Sequence, residues 1–259
     1  MQKSFQAGIF MIIDTHCHVY EREMENAEEI IQEAFENDIH LILNGTDMKS
    51  NLEVLDLSER FENVHAALGY HPFHADEISE EDICLLDSQL SNGNVVAVGE
   101  IGLDYYHGKE NKDMQIEVFE RMLDLAQMHN LPVIVHCRKA MQDTYDILKG
   151  HDVVGCLHSY PGSAEMAQQF IKMGFHIGVG GTITHKNNKK TRKVLEKIGI
   201  DHIIVETDSP YLAPEEKRRE INTPMNLKYV ISKIAEELDM KECDVEKITS
   251  KNAEILFKI

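Results

Sequence analysis

Two histidines, His16 and His18, close a short apolar run as His-Cys-His. Side chains two apart on a strand share a face, so both imidazoles can address one ion. Four more ionisable residues finish runs of the same kind. Glu100 does so in Val-Gly-Glu-Ile-Gly-Leu-Asp, His136 in Val-Ile-Val-His, His158 in Cys-Leu-His, and Asp208 in Val-Glu-Thr-Asp-Ser-Pro. A carboxylate at the end of an apolar strand is costly to bury unless it meets a cation or a donor. Each residue alone has an ordinary reading as a strand-end cap or ion pair. For all six in register that reading requires the same coincidence several times. Four imidazoles and two carboxylates exceed what one ion with open positions needs, and they suit a pair of divalent ions. Mixed nitrogen and oxygen donors favour Zn, Mn, Co or Ni, with Mg at the more oxygen-rich position.

Elements that could bring these residues together recur along the chain. Short runs rich in Val, Ile and Leu predict strands over 11–18, 40–44, 64–70, 95–100, 133–136, 153–158, 175–179 and 202–208. Near-continuous apolar character is expected of parallel strands covered on both faces. Helical spacing appears between them, as in Ile116, Phe119, Leu123 and Ala126, and again in Leu227, Val230, Ile234 and Leu238. Pro224 sits near the start of the latter, where a missing amide donor costs little. A last helix is expected over 243–257. The alternation indicates an α/β fold, a single (β/α)8 TIM barrel with an extra C-terminal helix. A doubly wound open sheet is the competing topology, and the absence of a Gly-rich dinucleotide fingerprint after the first strand counts against it. In a barrel, the carboxyl ends of the strands ring one mouth, where active sites of this fold are built. No linker divides the chain, so one domain over 1–259 is expected, with 1–10 as an N-terminal extension.

Composition narrows the function classes. The chain has 259 residues, with 26 Lys and Arg against 45 Asp and Glu, a net charge of −19. Bulk electrostatic capture of nucleic acid needs a basic face, which this balance does not supply, although a local patch is compatible with it. No apolar run approaches a membrane span. Five cysteines without a Cys-x-x-Cys pair argue against a disulfide framework and for a reducing, cytoplasmic setting. Nothing indicates an obligate protein partner.

Six ordered blocks resemble one known family: Asp14-Thr15-His16-Cys17-His18, Gly69-Tyr70-His71-Pro72, Gly99-Glu100-Ile101-Gly102-Leu103-Asp104, His136-Cys137-Arg138, His158-Ser159, and Glu206-Thr207-Asp208-Ser209-Pro210-Tyr211-Leu212. Together they resemble the TatD family of metal-dependent hydrolases and deoxyribonucleases. The resemblance implies an amidohydrolase-type barrel, two divalent ions and hydrolysis of phosphodiesters at DNA ends. It implies that His16, His18 and Asp208 hold one ion, that His136 and His158 hold the other, that Glu100 bridges them, and that Asp208 is the general base. The chemistry is consistent with this. Two ions about 3.5–4 Å apart polarise a phosphoryl oxygen and lower the pKa of a shared water, and a nearby carboxylate can take its proton. An amidohydrolase acting on a C–N, ester or lactone bond is the alternative. Many such barrels carry a modified Lys where Glu100 stands, which favours the phosphoesterase. A barrel kept only for binding would have lost ligands, and none is missing.

Around the six, His71 is a candidate phosphate donor or a turn residue before Pro72. Asp104 is a substrate contact or a helix cap, and Arg138 a phosphate ligand or a structural partner. Asp14 and Glu206 suit outer acceptors for ligating imidazoles. Cys17 should face away from the ligands, against a helix. Two basic runs stand out, Lys186 to Lys193 and Lys217 to Arg219. Barrel phosphate sites often use the loops after strands seven and eight, and of these residues Arg218 and its neighbours are the preferred substrate contact. The chain departs from the family pattern at Asn222-Thr223-Pro224, where Thr223 replaces an acid.

Overall fold

Apolar runs of three to ten residues form eight strands because both of their faces are covered. The computed structural model describes residues 11–106, 108 and 110–259, so the expected extension over 1–10 lies outside the described residues. The strands are β1 (Ile12–Cys17), β2 (Ile39–Asn44), β3 (Val64–Leu68), β4 (Val95–Asp104), β5 (Val133–Arg138), β6 (Gly155–Leu157), β7 (Phe175–Val179) and β8 (Ile203–Val205). Each pairs in parallel with the next, in sequence order. Between β8 and β1, Thr15 Oγ1 donates to the Val205 carbonyl at 3.0 Å, and the Asp208 amide donates to the His16 carbonyl at 2.8 Å. The sheet thus forms a nearly closed barrel, as the alternation of elements implied.

Helices α1 (Ala27–Glu36), α2 (Met48–Arg60), α3 (Glu80–Gln89), α4 (Lys112–His129), α5 (Met141–Leu148), α6 (Ala164–Lys172), α7 (Lys189–Ile198) and α8 (Leu227–Leu238) form the outer layer. One large core fills the space between strands and helices and includes Leu41, Leu68, Val98, Phe119, Phe170 and Ile234. Cys17 belongs to it, facing away from its histidine neighbours. A second, smaller core fills the barrel interior with Ile13, Ile42, Ala67, Ala97, Ile134, Cys156 and Ile204. The extra C-terminal helix α9 (Glu242–Phe257) lays Ala253, Leu256 and Phe257 against this inner set. Pro224 opens a 3-10 turn, Pro224–Asn226, just before α8. Among the described residues no helix is long and apolar enough to cross a membrane.

Two irregularities matter for the site. Ile13 and His16 are three residues apart, yet both face the interior, which strict alternation forbids. The β1–β2 register shifts between Asp14 and Cys17 and permits it. The same device recurs in β4, where the register shifts between Val98 and Ile101 and brings Glu100 to the side that Ala97 already occupies.

The strand ends differ from those expected. β4 and β5 continue past Glu100 and His136 because Gly102, Leu103 and Asp104 still pair with His136, Cys137 and Arg138. β6 and β8 are shorter. Beyond Val205 the Thr207 amide donates to the Asp14 carboxylate rather than to a strand, and Asp208 adopts a left-handed φ of 57°.

Candidate metal centre

The six sequence-identified residues converge at the carboxyl-terminal mouth of the barrel. The Glu100 carboxylate stands between two groups of imidazoles. Its Oε2 lies 3.6 Å from His16 Nε2 and 3.5 Å from His18 Nε2. Its Oε1 lies 2.8 Å from His136 Nδ1 and 2.8 Å from His158 Nε2. Asp208 Oδ1 lies 3.5 Å from both His16 Nε2 and His18 Nε2. Three sets of potential ligand atoms lie within 4.8 Å of one another: His16, His18 and Glu100; His16, His158 and Asp208; and His71, Glu100 and His136.

Hydrogen bonds fix which ring nitrogen faces inward. His18 Nδ1 donates to the Asn44 carbonyl at 2.9 Å, which leaves the Nε2 lone pair directed at the cluster. His136 turns its Nε2 to Asp104 Oδ2 at 3.3 Å and presents Nδ1 to Glu100. Asp104 therefore sits behind His136 as an outer acceptor, the arrangement that orients ligating imidazoles. The ring planes of His16 and His158 stack with centroids 3.9 Å apart.

Charge at the centre is unbalanced towards the anionic side. Burial disfavours a positive His18, but the Asp208 and Glu100 carboxylates outweigh it and raise its pKa to about 9. Burial likewise opposes charge on His136, and Asp104 and Glu100 raise it to about 9. Glu100 and Asp208 are both held well below the usual carboxylate range, the surrounding imidazoles overcoming the effect of burial. Burial pushes His16 down to about 4, aided by the charge of His158. A site that draws protons onto its own imidazoles and keeps its acids ionised is one that a cation fits. Four imidazole nitrogens and two carboxylates supply the mixed donors that divalent transition metals accept.

A layer of braces holds these ligand candidates. Asp14 accepts the Thr207 amide at 2.9 Å and its hydroxyl at 2.5 Å, tying β1 to the loop that carries Asp208. Glu206 accepts the Ser159 amide with Oε1, while Oε2 is buried without a hydrogen-bond partner. Burial raises Asp14 to about 7 and pushes Glu206 well up. Asn222, buried, donates to the carbonyls of Thr207 and Tyr211, both at 2.7 Å, and so fixes the turn around Asp208.

The four candidate substrate contacts separate. His71 lies at the centre, with Nε2 3.7 Å from Glu100 Oε1. Its Nδ1 accepts the Phe73 amide at 3.1 Å, so the neutral ring carries its proton on Nε2 and offers a donor there. Burial lowers its pKa to about 3, which keeps it neutral. Arg138 lines the mouth, its guanidinium 3.6 Å above the Tyr106 ring and 3.9 Å from Asp104. Arg218 does not reach the centre. It is exposed, pairs with Glu215 at 3.1 Å, and lines a smaller adjoining cavity. Lys217 pairs with Glu220 at 2.9 Å, so neighbouring acids offset two of the three cations in the basic run that order along the chain places best. Phe73 and Asn188, which carry no motif, line the main cavity of about 1040 Å³ together with the cluster, and so does Lys190 of the first basic run, which order along the chain ranked below Arg218. Phe73 lies two residues beyond His71, a spacing that carries no chemical signal of its own.

A family model described as TatD related DNase matches residues 13–258. The chain belongs to the TatD family. It is 37% identical over 254 residues to the metal-dependent hydrolase YabD of Bacillus subtilis, covering 96% of this chain and 100% of that one. The crystal structure of YjjV, a TatD homologue from Escherichia coli, superposes with a TM-score of 0.90 at 30% identity, covering 96% of this chain and 98% of that one. A TatD family hydrolase from Entamoeba histolytica has a TM-score of 0.82 at 21% identity over 96% of this chain and 98% of that one, a likeness of fold. This TatD-family chain is a metal-dependent hydrolase, with the converging His, Glu and Asp side chains as its candidate metal ligands.

Proposed function

We propose that this hydrolase cleaves phosphodiester bonds at DNA ends with two divalent ions. The observation that carries the reading is the division of Glu100. One oxygen faces His16 and His18 beside Asp208, and the other faces His136 and His158. On this reading His16, His18 and Asp208 would hold one ion and His136 and His158 the other, with Glu100 contributing to both. Bound there, the ions would supply Lewis-acid polarisation and a water of lowered pKa.

The chain supplies the remaining functions. Asp208 is ionised at neutral pH and takes the proton of the attacking water. His71 donates its Nε2–H to a phosphoryl oxygen. Asp104 holds His136 in the tautomer that leaves Nδ1 free. Burial favours an end over the middle of a duplex, because Glu100 is only 3% exposed and His16 is 0% exposed. A scissile phosphate must descend into the mouth to meet them, which a frayed or single-stranded end does without bending the duplex.

The test is hydrolysis of single-stranded and duplex DNA by the metal-supplied enzyme, beside a panel of cyclic amides, esters and lactones. Release of nucleotides, abolished in Asp208→Asn with the fold intact, supports the reading. Turnover of the small C–N or lactone substrates with inert DNA reverses it.

A further inference from the structure

The mouth of the barrel is not uniform around its rim. Strand order places the loops after β3 and β7 on opposite sides. Phe73 stands on the β3 side with 68% of its surface exposed. Leaving so large an apolar ring in water forgoes the gain of burying it. The ring is nevertheless presented by a tight 3-10 turn, Pro72–His74, whose Pro72 is buried. The turn is locked to the centre, because the Phe73 amide donates to the same His71 ring that faces Glu100. His74 meets the Phe73 ring edge-on at 5.4 Å and is held in turn by Glu77 at 3.1 Å.

Across the mouth, Lys190 and Asn188 line the same cavity. The Lys190 ammonium donates to the Pro161 carbonyl, and two of its three donors remain. Asn188 also lines the adjoining cavity, where Lys186 stands beside the paired Arg218 and Glu215. The β1 and β8 side is different. There Tyr211 bonds to the Glu23 carboxylate, an unfavourable neighbour for a phosphate.

We infer that Phe73 is a stacking platform for the base next to the scissile phosphate, and that Lys190 receives the following phosphate, so that a strand crosses the mouth from the β3 loop to the β7 loop. The inference rests on the nuclease reading and assigns its specificity to a base face rather than to the phosphodiester alone. An aromatic ring stacks every base, so the platform selects for an unpaired base without selecting its identity.

The experiment compares kcat/KM on a short single-stranded oligodeoxynucleotide with that on the same strand carrying an abasic residue at its 5′ or its 3′ terminus. The wild type is expected to prefer the intact strand over one of the abasic strands by about 5- to 150-fold. Phe73→Ala should lose that preference, and Phe73→Trp should keep it. Since the ring is exposed, neither change threatens the fold. Lys190→Gln should weaken intact and abasic strands alike and reduce the slope of log affinity against log salt by about one. Equal cleavage of intact and abasic strands by the wild type overturns the platform and leaves the nuclease reading standing. A preference that survives in Phe73→Ala also overturns it. If the wild type cleaves none of these strands, the nuclease reading falls and the platform with it.

Discussion

Gly178→Ala tests whether the braces behind the centre act as described. Gly178 lies on β7, between the strands that lead to His158 and Asp208. A Cβ at this position would stand 2.4 Å from Glu206 Oε2 and 2.9 Å from His158 Cα, well inside ordinary contact. Neither neighbour yields easily. Glu206 is 0% exposed and holds the Ser159 amide, and the His158 atom is backbone. Either β7 moves away from β6, or Glu206 releases Ser159 and the turn after His158 loosens. Overpacking of this kind costs about 1–3 kcal/mol. For a chain of this size that lowers Tm by about 2–12 °C, at roughly 2–4 °C per kcal/mol. The same displacement moves His158, whose Nε2 lies 2.8 Å from Glu100, so metal affinity should fall by about 10- to 100-fold. Gly93→Ala is the control, since a Cβ there meets nothing within 4 Å. Scanning calorimetry and metal titration read both effects. A Gly178→Ala protein that melts within about a degree of wild type and binds metal equally well would refute the bracing argument.

Asp104→Asn keeps the size of the side chain but removes the charge facing His136 Nε2, so metal affinity should drop by about 10- to 100-fold with Tm of the metal-free protein little changed. Unaltered affinity by calorimetric titration would return Asp104 to the role of a substrate contact. At the other end of the barrel, burial and the neighbouring ring hold His65 and His176 down to about 4, each stacked or tilted against a partner histidine. Their folded pKa values lie below the ordinary value of 6.5, so the unfolded chain binds more protons between pH 6.5 and 4 and stability must fall as pH falls through that window. Each ring adds up to about 1.4 kcal/mol per pH unit, less what residual solvent contact screens. His65→Asn with His176→Asn should flatten the fall in Tm over that range, and an unchanged profile would show that neither ring stays neutral in the fold.

The barrel was legible in the sequence because eight covered strands must be apolar throughout, and the histidines and acids interrupt those runs at their ends. The side of the sheet each residue faces was less legible. Period-two alternation would set Ile13 and His16 on opposite faces, and Ala97 and Glu100 likewise. Both pairs share the interior because the register shifts between strands, and a shift depends on the partner strand rather than on the local sequence. Ordering along the chain also misplaced the basic residues. Arg218 lies in the right loop, but Glu215 beside it takes its charge. Lys190 belongs to a run that reads as a solvated helix face, and only the position of the α7 start against the mouth distinguishes it. His71 was identified as a candidate donor from its block. The amide of Phe73, invisible in any motif, decides which nitrogen carries its proton.

The same distribution bears on how a chain with net charge −19 would admit a polyanion. Bulk attraction is excluded, so any pull on phosphate has to be local. Near the centre the acids are committed, Glu100 and Asp208 to imidazoles and Asp104 to His136 and Arg138, whereas Glu23 meets the neutral Tyr211 hydroxyl, which does not offset its charge. The cations of the rim are less committed, since Arg138 is half exposed above Tyr106 and Lys190 retains free donors. On the nuclease reading, approach from the β1 side meets a carboxylate and approach from the β7 side meets an ammonium. The field at the mouth therefore favours one direction of entry, which the protein's overall charge neither requires nor reveals.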